Sequence, residues 1–358
     1  MKPRDIAALR LRNQRIADGK PESPGEVVAW LGAVQAQEFP YAKWSLGKRM
    51  TDATEERVDR AFADGEILRT HALRPTWHFL TPADLRWIQQ LTAPRVHAFN
   101  ARVVREHELD ELLPRCRAII ENALAGGNCR TRRELQAELA RHGIEAAGQR
   151  LAYIVMNAEL EAVICSGPLR GRQHTYALVE ERAPRGIALA GEEALAELTR
   201  RYFRSHGPAT VRDYAWWSSF TMAQARAGIA SLANELEELS VDGRTYWYVD
   251  SGVDAAERRP TAHLMQAYDE YIIAYTESRD VLLPERGGGS ATPPPFMHAL
   301  LIDGRLAGHW RRSAHPERLV VEIQTYYKPS AREWRAVQAA VERYRVFSGA
   351  VEAEVRGI

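Results

Sequence analysis

The chain has 358 residues, 45% hydrophobic and 27% charged, with a net charge of +1. It is long enough for roughly two to four small domains, too apolar for global disorder, and too balanced to be a uniformly basic nucleic-acid binder. There is no apolar run of about 18 residues, no signal-peptide core follows Met1-Lys2-Pro3-Arg4-Asp5, and Cys116, Cys129 and Cys165 lack metal-site spacing, so a cytoplasmic protein with reduced cysteines is expected.

In chain order, residues 5–16 read as a helix, with Ile6, Leu9, Leu11 and Ile16 as apolar positions. Ser23-Pro24-Gly25-Glu26 is a helix start: Ser23 caps, Pro24 occupies the first turn, and Glu26 closes a capping box. The apolar run Val27 to Val34 continues that helix into Gln35-Ala36-Gln37-Glu38-Phe39, and Pro40 ends it, because the residue before proline disfavours helical geometry. A third helix is expected over 55–64. Two β-like runs, 67–73 and 76–80, are joined by Arg74-Pro75. Three helices followed by a ribbon is the order of a winged helix.

That order recurs. A helix over 110–125 breaks at Gly126-Gly127, a capping box Thr131-x-x-Glu134 opens a helix to about 141, and another helix covers 146–161. Strands 162–165 and 175–179 then flank a loop, 167–174, rich in glycine, arginine and histidine, which is the candidate wing. A further helix over 192–206 is followed by Thr210-x-x-Asp213, a helix over 221–236, and strands around the type I′ turn signal Asp242-Gly243. The capping threonines Thr131 and Thr210 are 79 positions apart, and Ala158-Glu159-Leu160-Glu161 precedes Asn234-Glu235-Leu236-Glu237 by 76. Two landmarks at nearly one period point to internal duplication. After a Gly/Pro-rich loop at 287–295 come a hairpin around Asp303-Gly304, a strand 319–326 and a helix from Ser330 to about Phe347. The fold expected is α+β: three tandem winged-helix units over 1–108, 109–183 and 184–250, then a small β-barrel-like module with one long helix over 251–358.

The repeated units, the segments Gln35-Ala36-Gln37, His71-Ala72-Leu73-Arg74-Pro75-Thr76-Trp77-His78 and Tyr268-Asp269-Glu270-Tyr271 together resemble the AlkZ-like winged-helix DNA glycosylases, over essentially the whole chain. The resemblance implies a monofunctional glycosylase. Its Gln-x-Gln motif, here Gln35 and Gln37, is similar to that of the branch excising bulky N7-alkylguanine adducts and crosslinks formed by natural-product genotoxins, a self-resistance role. A branch with Gln-x-Asp and broader substrates is the nearer alternative within the family. The implied partner is duplex DNA containing alkylated purines, with no membrane, a monomeric state, and neither metal nor organic cofactor.

The chemistry is consistent with amides in place of carboxylates. Glycoside hydrolysis passes through an oxocarbenium-like sugar and ordinarily uses acids. An N7-alkylated guanine is already cationic and leaves without protonation. A water positioned by amide oxygens then suffices. Glu38, one residue on, is expected to face solvent. Asp269, among aromatic residues that raise a carboxyl pKa, is the alternative catalytic group; the plainer role is a backbone cap beside core tyrosines. Arg69, His71, Arg74 and His78 on the first ribbon, Arg170 and Arg172 in the wing, and His309, Arg311 and Arg312 on the C-terminal hairpin are candidate DNA contacts. Arginine suits bidentate phosphate binding, although its abundance equally fits a GC-rich genome. Trp216-Trp217 reads as core. A non-catalytic winged-helix transcription regulator is the alternative function, but regulators of that type usually use one unit and a dimer.

Overall fold

The computed structural model describes residues 2–232, 234–249, 260–284, 297–313 and 318–357; the loop expected at 287–295 lies outside them. The first segment holds α1 (Pro3–Asn13), α2 (Pro24–Leu31), β1 (Val34–Gln35), α3 (Phe39–Gly47), α4 (Glu55–Asp64), β2 (Leu68–Ala72), β3 (Arg74–Leu80) and the 25-residue α5 (Pro82–Glu106). The Ser23/Glu26 box forms as expected, with both reciprocal bonds and Pro24 in the first turn. The helix does not reach the glutamines. It stops at Leu31 because Gly32 takes a φ of +81°, and the next residues pair as a strand. In this segment α3 and α5 have no counterpart in the sequence expectation. Pro40 begins a helix here rather than ending one, sitting in the first turn of α3.

The second segment contains α6 (Leu113–Leu124), β4 (Arg130–Thr131), α7 (Arg132–Arg141), α8 (Gly148–Leu160), β5 (Ile164–Ser166), β6 (Thr175–Leu178) and the short α9 (Val179–Arg182). The third contains α10 (Gly191–His206), α11 (Val211–Ser218), α12 (Met222–Ser231), β7 (Glu237–Val241) and β8 (Arg244–Tyr248). The boxes at Thr131/Glu134 and Thr210/Asp213 both form. Asp242 and Gly243 both take positive φ, as the hairpin turn between β7 and β8 requires. Each segment therefore places an antiparallel hairpin after a run of helices, β2–β3, β5–β6 and β7–β8, with α5 and α9 following the first two.

The C-terminal segment contributes β9 (Ala262–Met265), α13 (Glu270–Ile273), a 3-10 turn at Arg279–Leu282, β10 (His298–Ile302), β11 (Arg305–Ser313), β12 (Leu319–Thr325), α14 (Ala331–Ser348) and β13 (Ala353–Gly357). Its five strands form one sheet in the order β13-β12-β11-β10-β9, antiparallel except for the β12–β13 pair. The expected barrel does not close: β9 and β13 are the two edges, and they do not pair among the described residues. The sheet has no need to curl on itself, because its apolar face is covered by other elements. Leu300, Trp310, Val321 and Ile323 share one core with Val337, Val341 and Tyr344 of α14 and with Val28, Leu31, Trp44 and Phe62 of the first segment. A second core joins Leu68, Leu80 and Trp87 of the first segment to Leu198, Tyr202 and Trp217 of the third. The second segment's helices and hairpin keep a core of their own, with Leu113, Ile120, Leu135 and Ile154. Trp217 is buried as expected of core, whereas Trp216 is 50% exposed.

Candidate active-site cleft

Gln35 lies on extended chain. Val34 and Gln35 pair antiparallel with Phe79 and His78, and the Ala36 N–H donates to the Trp77 carbonyl at 2.7 Å. The strand ends at Gln35, and Gln37 follows in the bend that leads into α3, so the two amides are held by different partners. Gln35 is buried, 6% exposed. Gln37 is exposed and lines the mouth of a cleft of about 970 Å³. Glu38 is exposed and lies on the same rim.

Each amide is held by one bond. The Arg74 guanidinium donates to Gln35 Oε1 at 3.2 Å, and the Trp77 N–H donates to Gln37 Oε1 at 3.3 Å. These donors fix which end of each amide is oxygen. Neither Nε2 has a protein partner among the described residues, and each oxygen keeps a second lone pair. Arg74 also donates to His78 Nε2 at 3.2 Å and to the Trp217 carbonyl. His78 Nδ1 donates to the Thr76 carbonyl at 2.9 Å, so the ring is neutral with Nε2 as acceptor. Burial, with the neighbouring Arg74 charge, pushes the His78 pKa down to about 3.

The mouth is built by Trp77 and its supports. The Arg69 guanidinium lies 4.2 Å from the Trp77 ring centre, and its Nε donates to the Ala36 carbonyl at 2.9 Å. Burial lowers the Arg69 pKa to about 10, which leaves it charged at neutral pH. The Trp77 indole N–H donates to Glu159 Oε1 at 3.3 Å, and His71 Nδ1 pairs with Glu159 Oε2. Glu159 is 1% exposed and comes from α8, so the second segment fixes the ribbon of the first. His71 and His78, at 3% and 0% exposed, have ring nitrogens committed inside the protein and are not on a groove-facing surface. Burial is what a ribbon position alone left undecided.

The opposite wall belongs to the second segment: Arg132 and Arg133 at the start of α7, and Arg170 and His174 of the loop between β5 and β6. Arg170 bonds Glu134 at 2.7 Å and the Cys129 carbonyl at 2.7 Å. Arg133 and Arg172 are exposed and have no partner among the described residues. Burial, then Arg69, lowers the His174 pKa to about 4, so it is neutral. On β11, His309 bonds Gln324 at 2.8 Å and Arg311 pairs with Glu322. Arg312 lies over the Tyr41 ring, at 5.3 Å, and Tyr41 itself lines the cleft. That contact brings the C-terminal sheet to the rim.

Asp269 is elsewhere. It is fully buried, receives two bonds from Arg49 at 2.7 and 2.9 Å, caps α13 through the Tyr271 N–H, and does not line the cleft. Burial pushes its carboxyl up, but the Arg49 guanidinium, with Lys48 and the Tyr271 N–H, outweighs it and holds the pKa down to about 2. The aromatic surroundings therefore do not raise it, as the sequence expectation had it. Among the described residues no group of three or more His, Cys, Asp or Glu is placed to hold a metal, and no helix is long and apolar enough to cross a membrane. Sequence reading missed Glu159, His206 and Trp217 as parts of this network. They stand 53 or more positions from the residues they hold, and no local signal marks them.

Residues 28–347 match the family model described as DNA glycosylase AlkZ-like. A curated relative, the interstrand DNA cross-link repair glycosylase of Streptomyces sahachiroi, is 25% identical over 327 residues, covering 86% of this chain and 87% of that protein. The solved structure of the Streptomyces sahachiroi DNA glycosylase AlkZ superposes with a TM-score of 0.81 at 22% identity, over 100% of each chain.

Proposed function

The chain belongs to the DNA glycosylase AlkZ-like family, and from that premise we propose that it is a monofunctional, monomeric glycosylase that removes N7-alkylated purines, including bulky genotoxin adducts and interstrand crosslinks, from duplex DNA. Membership of a glycosylase family weighs against the non-catalytic regulator. The observation that carries the finer reading is the pair of fixed amides at an arginine-walled cleft, Gln37 on its rim and Gln35 held by Arg74 two residues earlier in the chain. A cleft of about 970 Å³ is at the upper end of ligand-pocket sizes, roomy enough for a base with a bulky substituent. The relative is described as a cross-link repair enzyme, which supports the same substrate class. We read segments 1–108, 109–183 and 184–250 as winged-helix units and 251–358 as an accessory module, on the recurrence of helices followed by a hairpin.

In this reading the free lone pairs of Gln35 Oε1 and Gln37 Oε1 accept the two protons of one water and turn its oxygen toward C1′. An amide is too weak a base to deprotonate that water at neutral pH. Bond breaking is therefore led by departure of the cationic base, which takes the N-glycosidic electron pair and leaves neutral. The water then adds to the oxocarbenium carbon and releases its proton to solvent, giving an abasic site. The protein's part is orientation. Purified protein incubated with a duplex carrying a single N7-alkylguanine is expected to release the free modified base and leave an abasic strand. Strand scission without added base, or no release from any alkylated duplex, would count against the proposal.

DNA contact is assigned to exposed cations of the second segment, Arg133 on the cleft wall and Arg172 in the loop between β5 and β6. Arg133 and Arg172 have no carboxylate partner, so replacing both with alanine is expected to flatten the log–log salt dependence of binding by up to about 1.8, near 0.9 per phosphate. Arg170→Ala should do less, because Glu134 already neutralises Arg170. Titrations at several salt concentrations measure the slope; an unchanged slope means that this wall faces away from the duplex.

A further inference from the structure

A water-orienting amide works only if its oxygen is held in place to within a few tenths of an ångström. Gln35 has little sheet to hold it. β1 is two residues long and is the edge strand of the sheet β1-β3-β2, paired on one side only. Among the described residues no strand covers its outer edge. The Gln35 N–H instead donates to Glu270 Oε1 at 2.7 Å, a charge-assisted bond from strand edge to side chain.

Glu270 is itself fully buried and rigidly supported. Its Oε2 accepts the Trp217 indole N–H at 2.8 Å, and His206 Nε2 lies at 3.4 Å. The residues on either side are anchored, Asp269 on Arg49, and the Tyr271 hydroxyl on the carbonyls of Ala7 and Gly304. A few positions on, Asp213 accepts the N–H groups of Thr276, Glu277 and Ser278. The segment thus carries the carboxylate from the C-terminal part of the chain to the glutamine strand, with the third segment bracing it. Burial pushes the Glu270 pKa up, but His206, Arg74 and the Gln35 N–H together hold it below its ordinary value, so it is ionised. Its charge opposes that of Arg74, the cation bonded to Gln35 Oε1.

We propose that Glu270 is a positioning residue for base excision: its buried carboxylate caps the free edge of the glutamine strand and fixes Gln35. This rests on the reading of Gln35 as a water-orienting group. An alkyl carboxylate that binds two N–H donors at once is not replaced by its amide, because one end of a glutamine would present N–H to N–H.

The test is a double-mutant cycle on single-turnover excision of an N7-alkylguanine from duplex DNA by the full chain, well below the melting temperature of each variant. Glu270→Gln is expected to slow excision on the order of 10- to 100-fold with DNA affinity unchanged. In a Gln35→Ala background the same change should cost little further, because Glu270 acts through Gln35. Excision at the parental rate by Glu270→Gln overturns the proposal, as does a full additive penalty in the Gln35→Ala background, the mark of a purely structural role. If Glu270→Gln does not fold, Trp217→Phe, which removes one of the two anchors of the carboxylate, replaces it in the cycle with the same expected coupling, and additivity there overturns the proposal. The two failures are distinguishable. A parental rate for Gln35→Ala removes the glutamine reading and this inference with it, whereas a slow Gln35→Ala beside a normal Glu270→Gln removes only the inference.

Discussion

Gln35→Ala and Gln37→Ala are each expected to slow single-turnover excision of an N7-alkylguanine on the order of 100-fold, about 3 kcal/mol, while DNA affinity stays near the parental value. The amides make no contact that binding to undamaged backbone requires, and what they lose is order in the attacking water. The penalty should shrink as the leaving group improves, because a base that departs more readily needs less help from a placed nucleophile. The two positions differ in one respect. Gln37 is exposed and its removal costs no packing, so its rate effect is read directly. Gln35 is 6% exposed and bonded to Arg74, so its variant must be compared at equal folded fraction. Excision at the parental rate by both variants would show that the amides do not orient the water.

Asp269→Asn is expected to lose stability, by about 3–5 kcal/mol, because it leaves the Arg49 guanidinium buried without its counter-charge. Both partners are fully buried, and Arg49 also donates to Gln14 Oε1 at 2.7 Å and to the Ser45 carbonyl at 2.7 Å, so the pair ties α1, α3 and the start of α13 together. A fall in melting temperature on the order of 10 °C is expected, with excision by the remaining folded protein close to parental. The pH dependence has a definite sign. The carboxyl pKa is held to about 2 in the folded chain against an ordinary 3.8, so its contribution is fully present above about pH 4 and is lost as pH falls toward 2. Melting curves between pH 7 and pH 3 should show acid destabilisation that is reduced in Asp269→Asn. An Asp269→Asn protein that melts like the parent yet does not excise would transfer catalysis to this carboxylate.

Local chemistry made much of the secondary structure legible in the sequence. The capping boxes at Ser23, Thr131 and Thr210 form, α4 spans the expected 55–64, and the Asp242-Gly243 and Asp303-Gly304 turns take positive φ. These signals act over about four residues and depend on no distant partner. The 76–79-residue spacing likewise announced the recurring helices and hairpins, and the motif residues carried the family resemblance.

What needed the tertiary structure was everything set by partners far along the chain. Gln35-Ala36-Gln37 follows an apolar helical run, and only pairing with Phe79 and His78 puts Gln35 on a strand and ends the helix before the glutamines. The same sequence pattern leaves a two-sided ribbon free to bury its histidines or show them; Glu159, 88 positions from His71, decides for burial. Asp269 among tyrosines reads as a raised carboxyl until Arg49, 220 positions away, reverses the shift. The C-terminal strands look fit to close on themselves, but the first segment and α14 bury their apolar face, so the sheet stays open. Periodicity and capping are short-range and survive in any fold, whereas burial, ion pairing and strand partnership belong to the packed chain as a whole.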